Sequence, residues 1–128
     1  MILNREQREK ELQNQLFHGS PAVTLIIEPN TGEIIDANQA AAEFYGYTLA
    51  ELQSVSIFHI STSPDEDIKQ CMAKVSREYC KAMPFQHKLK NGIVRDVEVY
   101  FGPFRLGGSV LLHAIVIDVS AQKRTEEK

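Results

Sequence analysis

The side chains in this sequence that could do chemistry are spaced for burial and hydrogen bonding, not for catalysis or metal capture. Histidines stand at 18, 59, 87 and 113. They form no H-x-x-H or H-E-x-x-H pair and there is no C-x-x-C, so no metal-ligand spacing is present. The chain has no G-x-S-x-G elbow for acyl transfer and no phosphate loop; Gly107-Gly108 is placed as a hairpin turn. Nothing in these patterns asks for an enzyme. Cys71 and Cys80 lie in what reads as one helix, nine positions apart. That separates them by about 13 Å along the axis, on opposite faces, whereas a disulfide needs Cα atoms within about 7 Å. Both read as reduced thiols, Cys71 toward the core and Cys80 on the flank.

The remaining polar residues of interest sit among apolar neighbours. His87 and His113 fall on predicted strands. A histidine on a sheet face is a satisfied polar group beside the core or, where the domain holds a cavity, the contact that orients a ligand. His113 can instead face the N-terminal helix. His59 stands at a helix–loop junction (Ser56-Ile57-Phe58-His59-Ile60) and reads first as a packing or capping residue. Tyr45, Tyr79 and Arg95 are further polar groups for a pocket or its mouth, although the tyrosines read more simply as core. Asp118 ends a strongly apolar strand, where an acid is costly unless hydrogen-bonded. Ser120, two residues on, is placed to cap an exit helix.

The elements that would position these residues are well punctuated. Pro29-Asn30-Thr31-Gly32 separates two apolar runs, Val23–Ile27 and Ile34–Ile35, as a hairpin with a bulged turn. Asn38 caps a short helix carrying Ala40, Ala41, Ala42, Phe44 and Tyr45, and Gly46 ends it in a left-handed cap. Thr48 and Glu51 form a capping box with Tyr47 and Leu52 as its hydrophobic staple. Ser63-Pro64-Asp65-Glu66 opens a longer helix with Ile68, Cys71, Met72, Val75 and Tyr79 on one apolar face, ended by Pro84 at the latest. Phe85, His87 and Leu89 alternate with polar residues up to an Asn91-Gly92 turn, and Val97, Val99 and Phe101 alternate likewise until Gly102-Pro103 interrupts. Val110–Val119 is apolar on both faces, which predicts the central strand. Helices would cover one side of it, and the N-terminal helix or a partner protomer the other. Residues 4–17 are polar and helix-forming with a thin stripe of Leu12, Leu16 and Phe17, which must dock or pair to be stable.

Bulk properties narrow the class. At 128 residues and 43% hydrophobic, the chain suits one domain with a real core. A net charge of −3 and the lack of a basic stripe exclude an electrostatic case for nucleic acid. No apolar stretch is long enough to span a bilayer and no signal-peptide core is present. The expectation is a cytoplasmic domain without direct membrane contact.

The segment Glu28–Leu52 resembles the start of a PAS domain, a small sensory module of signalling proteins. The family's hairpin with an Asp/Asn-x-Gly turn is followed by N-x-A-A-x-x-x-x-G-Y-x-x-x-E-L, here Asn38, Ala40, Ala41, Gly46, Tyr47, Glu51 and Leu52. Asp118-Val119-Ser120-Ala121-Gln122-Lys123-Arg124 resembles the family's D-I-T-E-R-K exit motif, with conservative departures at two positions. The resemblance implies an α+β fold: a five-stranded antiparallel sheet with short helices and one longer helix on one face, flanked by N- and C-terminal helices. It divides the chain into a helical connector or dimerisation helix (1–19), the PAS domain (20–120) and the start of a linker helix (121–128).

The implied function is a sensory module in signal transduction, of the two-component or diguanylate cyclase kind. It would bind an unknown small molecule between sheet and helices, pair as a homodimer through Leu12, Leu16 and Phe17, and relay to a covalently linked output domain through Asp118 and Ser120. Pocket candidates are Phe44, Tyr45, Phe58, His59, Ile68, Met72, Val75, Tyr79, Phe85, His87, Val97 and Val99. One alternative is a ligand-free dimerisation module whose interior, with Leu25 and Ile27, is simply core. The other is a haem or flavin sensor. The sequence requires no cofactor: the N-C-R-F-L-Q helix of the family's flavin sensors is missing, Cys71 stands in CMAK, and Ile68–Tyr79 offers no histidine for haem, which leaves His59 as the nearest one.

Overall fold

Alternating apolar residues build a five-stranded antiparallel sheet, and short capped helices close over one of its faces. The computed structural model describes residue 2, residues 4–75 and residues 80–121. The order is α1 (Arg5–Gly19), β1 (Val23–Ile27), β2 (Ile34–Ala37), α2 (Gln39–Tyr45), α3 (Leu49–Leu52), α4 (Ile57–Ile60), α5 (Asp65–Val75), β3 (Cys80–Lys88), β4 (Val94–Leu106) and β5 (Ser109–Asp118). The strands lie in the order β2-β1-β5-β4-β3, so β5 is central. Its inward residues Leu112, Ala114 and Val116 meet Leu25, Ile27, Val97, Val99 and Phe101 in the core, with Ile68 and Cys71 of α5 packed on the same cluster.

The hairpin–helix unit forms for local reasons. The Glu28 carboxylate accepts the Asn30 and Thr31 N–H groups at 2.8 Å each, and Gly32 N–H returns to the Glu28 carbonyl at 2.8 Å. Gly32 has φ +74°, and a Cβ there would stand 2.5 Å from the Phe58 ring, so only glycine fits. Asn38 is fully buried and knots β1 to α2: its Oδ1 accepts from Thr24 N–H (3.1 Å) and Ala41 N–H (3.0 Å), and its Nδ2 donates to Ala22 O (2.7 Å). Gly46 ends α2 at φ +81°, and the Thr48–Glu51 capping box opens α3.

Four features differ from the sequence expectation. Ile57–Ile60 forms an additional helical turn, α4, started by Ile57 N–H donating to Gly32 O at 2.8 Å; this contact across the chain leaves no trace in local sequence. Cys80 does not share a helix with Cys71 but opens β3, opposite Phe101. β4 is not interrupted at Gly102-Pro103; it runs on to Leu106, paired with β5. Proline is tolerated there because β3 reaches only to Phe101, leaving that side of β4 without a neighbouring strand among the described residues. Pro84 is accommodated for the same reason, since β3 is an edge strand. Finally, α1 does not cover the outer face of the sheet. Its main packing is against α2, and Ile35, Tyr100 and Ile117 on the strands remain 37%, 43% and 44% exposed.

Candidate functional site

Among the described residues, the inward face carries a polar pair in its interior. Tyr45, the last residue of α2, and His87, near the end of β3, are 0% and 2% exposed. Tyr45 Oη and His87 Nδ1 are 2.8 Å apart. α2 presents Tyr45 because Ala41, Ala42 and Tyr45 follow helical spacing onto the core. β3 presents His87 because Phe85 and His87 share the inward parity of the strand. Burial pushes the phenol well above its usual value and lowers the imidazole to about 4, so both groups are neutral near pH 7.

Aromatic rings extend from this pair in both directions. Phe44 packs edge-on to Tyr45 with centroids 4.9 Å apart, His87 stacks with Phe85 at 6.3 Å, and Phe85 meets Phe101 edge-on at 6.1 Å. Ile68, Val97 and Val99 close the layer. An open groove of about 280 Å³ lies over Tyr45, between Glu43–Gly46 and Leu89–Asn91. Lys90 N–H donates to Tyr45 O at 2.9 Å along it, and the Lys90 ammonium meets Glu51 at 2.8 Å on its rim.

The structure therefore joins Phe44, Tyr45, Phe85 and His87, with Ile68, Val97 and Val99 beside them. Phe58 is half-buried and packs against the core over Gly32, with Lys69 Nζ 5.8 Å above its ring. His59 is exposed on α4. The side chains of Met72 and Val75, and all of Tyr79, lie outside the described residues. His113 is on the outer face of β5, half-buried, opposite Ile26 and Gly102. No group of three or more His, Cys, Asp or Glu among the described residues is arranged to hold a metal ion. On α1, Leu12 and Leu16 are 57% and 64% exposed and Phe17 is half-buried.

A second constellation sits at the rim of the same face. Arg95 is the cross-strand partner of His87, and its guanidinium holds Asp118 Oδ2 through Nε (3.0 Å) and Nη2 (2.5 Å). Asp118 Oδ1 accepts Ser120 N–H at 3.0 Å. Ser120 does not cap the exit helix. It is itself the first helical residue, and its Oγ accepts Asp96 N–H at 2.8 Å. Val119 N–H donates to Asp96 O at 2.9 Å, so the junction is fastened to β4 by main chain as well. Burial of the Asp118 carboxylate works against its charge, but the hydrogen bonds from Arg95 and Ser120 together outweigh it and hold the group below its usual value.

The sequence reading placed Arg95 at a pocket mouth and missed this pairing. The alternation offered the signal: Arg95 shares its face with Val97, Val99 and Phe101, and a cation on an inward face requires an anion nearby. Gln122–Lys128, the rest of the exit motif and linker, lie outside the described residues.

Known proteins give the same frame. The E. coli (strain K12) diguanylate cyclase DgcM is 32% identical over 128 residues, spanning 98% of this chain and 31% of that protein, and the E. coli O157:H7 counterpart matches equally. The chain thus spans about a third of the length of these curated relatives. Among solved structures, the PAS domain of an HTR-like protein from Haloarcula marismortui superposes with a TM-score of 0.73 at 26% identity, covering 89% of this chain and 99% of that one. An RNA-binding light-oxygen-voltage receptor gives 0.78 at 16% identity over 97% of this chain and 37% of that one, a likeness of fold alone. The fold is a sensory one rather than a catalytic one. The PAS domain family model matches residues 21–121, from the turn before β1 to the junction that Asp118 and Ser120 fasten, and the chain belongs to that family.

Proposed function

We propose that this PAS domain is a sensory module that binds a small molecule between its helices and sheet and passes the change to an output domain of the diguanylate cyclase or histidine kinase type. The observation that carries the reading is the corner made by Arg95, Asp118 and Ser120. One carboxylate is bonded both to the neighbour of His87 on β4 and to the first residue of the exit helix. A shift of β3 against β4 therefore acts on the residues that aim the outgoing chain. The mechanism is a population shift: a ligand favouring one packing of α2, α5 and β3 biases the register or angle of the segment after Ser120. The relatedness to a diguanylate cyclase supports a cyclase as the output. The boundaries proposed are a connector over 1–19, the sensory unit over 20–120 and a linker from 121.

The exposed Leu12 and Leu16 on α1 support pairing with a second copy, which would bury the stripe that α1 leaves open. A ligand-free pairing module is the second reading, favoured by the mutual satisfaction of Tyr45 and His87 inside a packed layer. The test is to fuse the chain to a diguanylate cyclase domain and measure cyclase output with Asp118→Ala. The relay reading expects output to lose its dependence on the sensory domain, and unchanged coupling would overturn it. Native mass spectrometry of gently purified protein tests the ligand: a retained mass is expected, and a bare mass favours the pairing module.

A further inference from the structure

The end of the sheet where the chain leaves is crossed on both faces, and the two crossings start from the same place. Ser61 and Thr62, which lead from α4 into α5, run beside the outer edge of β3. Ser61 forms an isolated antiparallel bridge with His87, and Thr62 N–H donates to Gln86 O at 2.8 Å. On the inward face the next steps are His87, its cross-strand neighbour Arg95, and Asp118. On the outward face they are Gln86, its cross-strand neighbour Asp96, and the pair Val119 and Ser120.

The outward crossing is continuous bond by bond. In an antiparallel strand the N–H and C=O of one residue point to the same side. Gln86 turns its carbonyl to Thr62, whose hydroxyl donates to the same oxygen at 3.3 Å. Asp96 spends its N–H on Ser120 Oγ at 2.8 Å and its carbonyl on Val119 N–H at 2.9 Å. The main chains of Gln86 and Asp96 therefore face away from each other, and side chains join them: Gln86 Nε2 donates to Asp96 Oδ1 at 3.1 Å. Gln86 is exposed and Asp96 half-buried, on the face opposite the inward-pointing Phe85 and His87. This link can be cut without touching the core.

The near end of the crossing is tied to α5. Only Ser63 separates Thr62 from Pro64, whose carbonyl accepts Asp67 N–H at 3.0 Å in the first turn of that helix. We infer that Gln86 and Asp96 are positioning residues that couple the α4–α5 connection to the start of the exit helix across the outward face. A displacement of Ser61 and Thr62 is then felt at Val119 and Ser120 without passing through Tyr45–His87. This coupling deepens the relay reading proposed above and rests on it for its use in signalling. One hydrogen bond of this kind shifts a local equilibrium by about two- to tenfold.

Hydrogen exchange of the full chain, followed by 15N NMR at the Val119 and Ser120 amides, tests the coupling. Gln86→Met cuts the link without adding charge, and Gln86→Glu cuts it by placing a second acid against Asp96. Both are expected to quicken exchange at Val119 and Ser120 by about two- to tenfold, while Ala114 in the middle of β5 is unchanged. Gln86→Glu combined with Asp96→Asn exchanges donor and acceptor at the wild-type net charge, and is expected to restore protection. Unchanged exchange at both amides in the two cutting variants would overturn the coupling. Equal quickening at Ala114 would overturn it too, since that marks a general loosening of the sheet, as would amides at Val119 and Ser120 that exchange unprotected in the wild type. A donor–acceptor swap that restored nothing would remove Gln86 and Asp96 as its carriers. No ligand or output domain takes part, so this result and that of the Asp118→Ala fusion can each fail while the other stands.

Discussion

Two polar constellations share the inward face of this sheet, one strand apart, and they are built in opposite ways. Tyr45–His87 is buried, neutral and held by one hydrogen bond of 2.8 Å. Arg95–Asp118 is at the rim, ionised, with side chains 33% and 26% exposed, and is tied into main-chain bonds at Asp96 and Ser120. The cost of desolvating charge explains the segregation: a neutral pair can sit inside at modest cost, whereas an ion pair is best kept where water still reaches it. The interior pair therefore governs packing. The rim pair, still reached by water, is expected to contribute little to stability and to be rearranged cheaply.

The largest expected effect tests the interior. Tyr45→Ala removes a fully buried ring from between α2 and β3, and should cost about 3–5 kcal/mol in urea unfolding. Tyr45→Phe should cost about 1–3 kcal/mol, because the loss is confined to the hydrogen bond and leaves His87 Nδ1 buried without its partner. A Tyr45→Phe variant as stable as wild type would mean that the pair is not the desolvated contact described.

Acid separates the two regions by window. Burial lowers His87 from 6.5 to about 4, so the unfolded chain takes up the proton first. Its contribution is complete above about pH 6.5 and is lost as pH falls toward 4, by about 3 kcal/mol in all. His113, half-buried and also lowered by desolvation, adds in the same direction. Asp118 is lowered from 3.8, so its contribution is present above that value and is lost only as pH falls through the lowered one. Urea unfolding at several pH values between 7 and 4 should thus show a slope that His87→Gln largely removes. If the slope survives in that variant, another group carries it.

The contrast also explains what could be read without coordinates. Gly32, Asn38, Gly46, Thr48 and Glu51 were legible because each acts within a few residues, through a turn, a cap or a positive φ. The central position of β5 was legible because its run is apolar on both faces. Tyr45 and His87 were each singled out, but their bond joins residues 42 apart, and no local signal pairs them. α4 depends on the Gly32 carbonyl of the hairpin turn accepting Ile57 N–H, and the uninterrupted β4 on where β3 happens to start. Ser120 illustrates the limit most clearly. Its type and place suit a helix cap, yet Asp96 of β4 claims the hydroxyl, and Asp118 meets the helix N–H instead. Local rules gave the parts, and tertiary partners decided their use.

The smallest expected effect is the most discriminating one for the comparison. Arg95→Gln, Asp118→Asn and the double variant form a cycle across the rim pair. The coupling should be at most about 1 kcal/mol, as for other partly exposed ion pairs. It should fade in 1 M NaCl, where screening acts within about 3 Å. The Tyr45→Phe cost should not change with salt, because no ionised group takes part in that bond. The sharing of the Asp118 carboxylate between Arg95 and Ser120 also predicts an asymmetry: Asp118→Asn keeps an oxygen for Ser120 N–H, whereas Asp118→Ala removes it. Amide exchange at Ser120 should therefore quicken in the alanine variant much more than in the asparagine one. A rim coupling that persisted undiminished at high salt would show that Arg95 and Asp118 are effectively buried. In that case the division between a neutral interior and an adjustable charged junction would not hold.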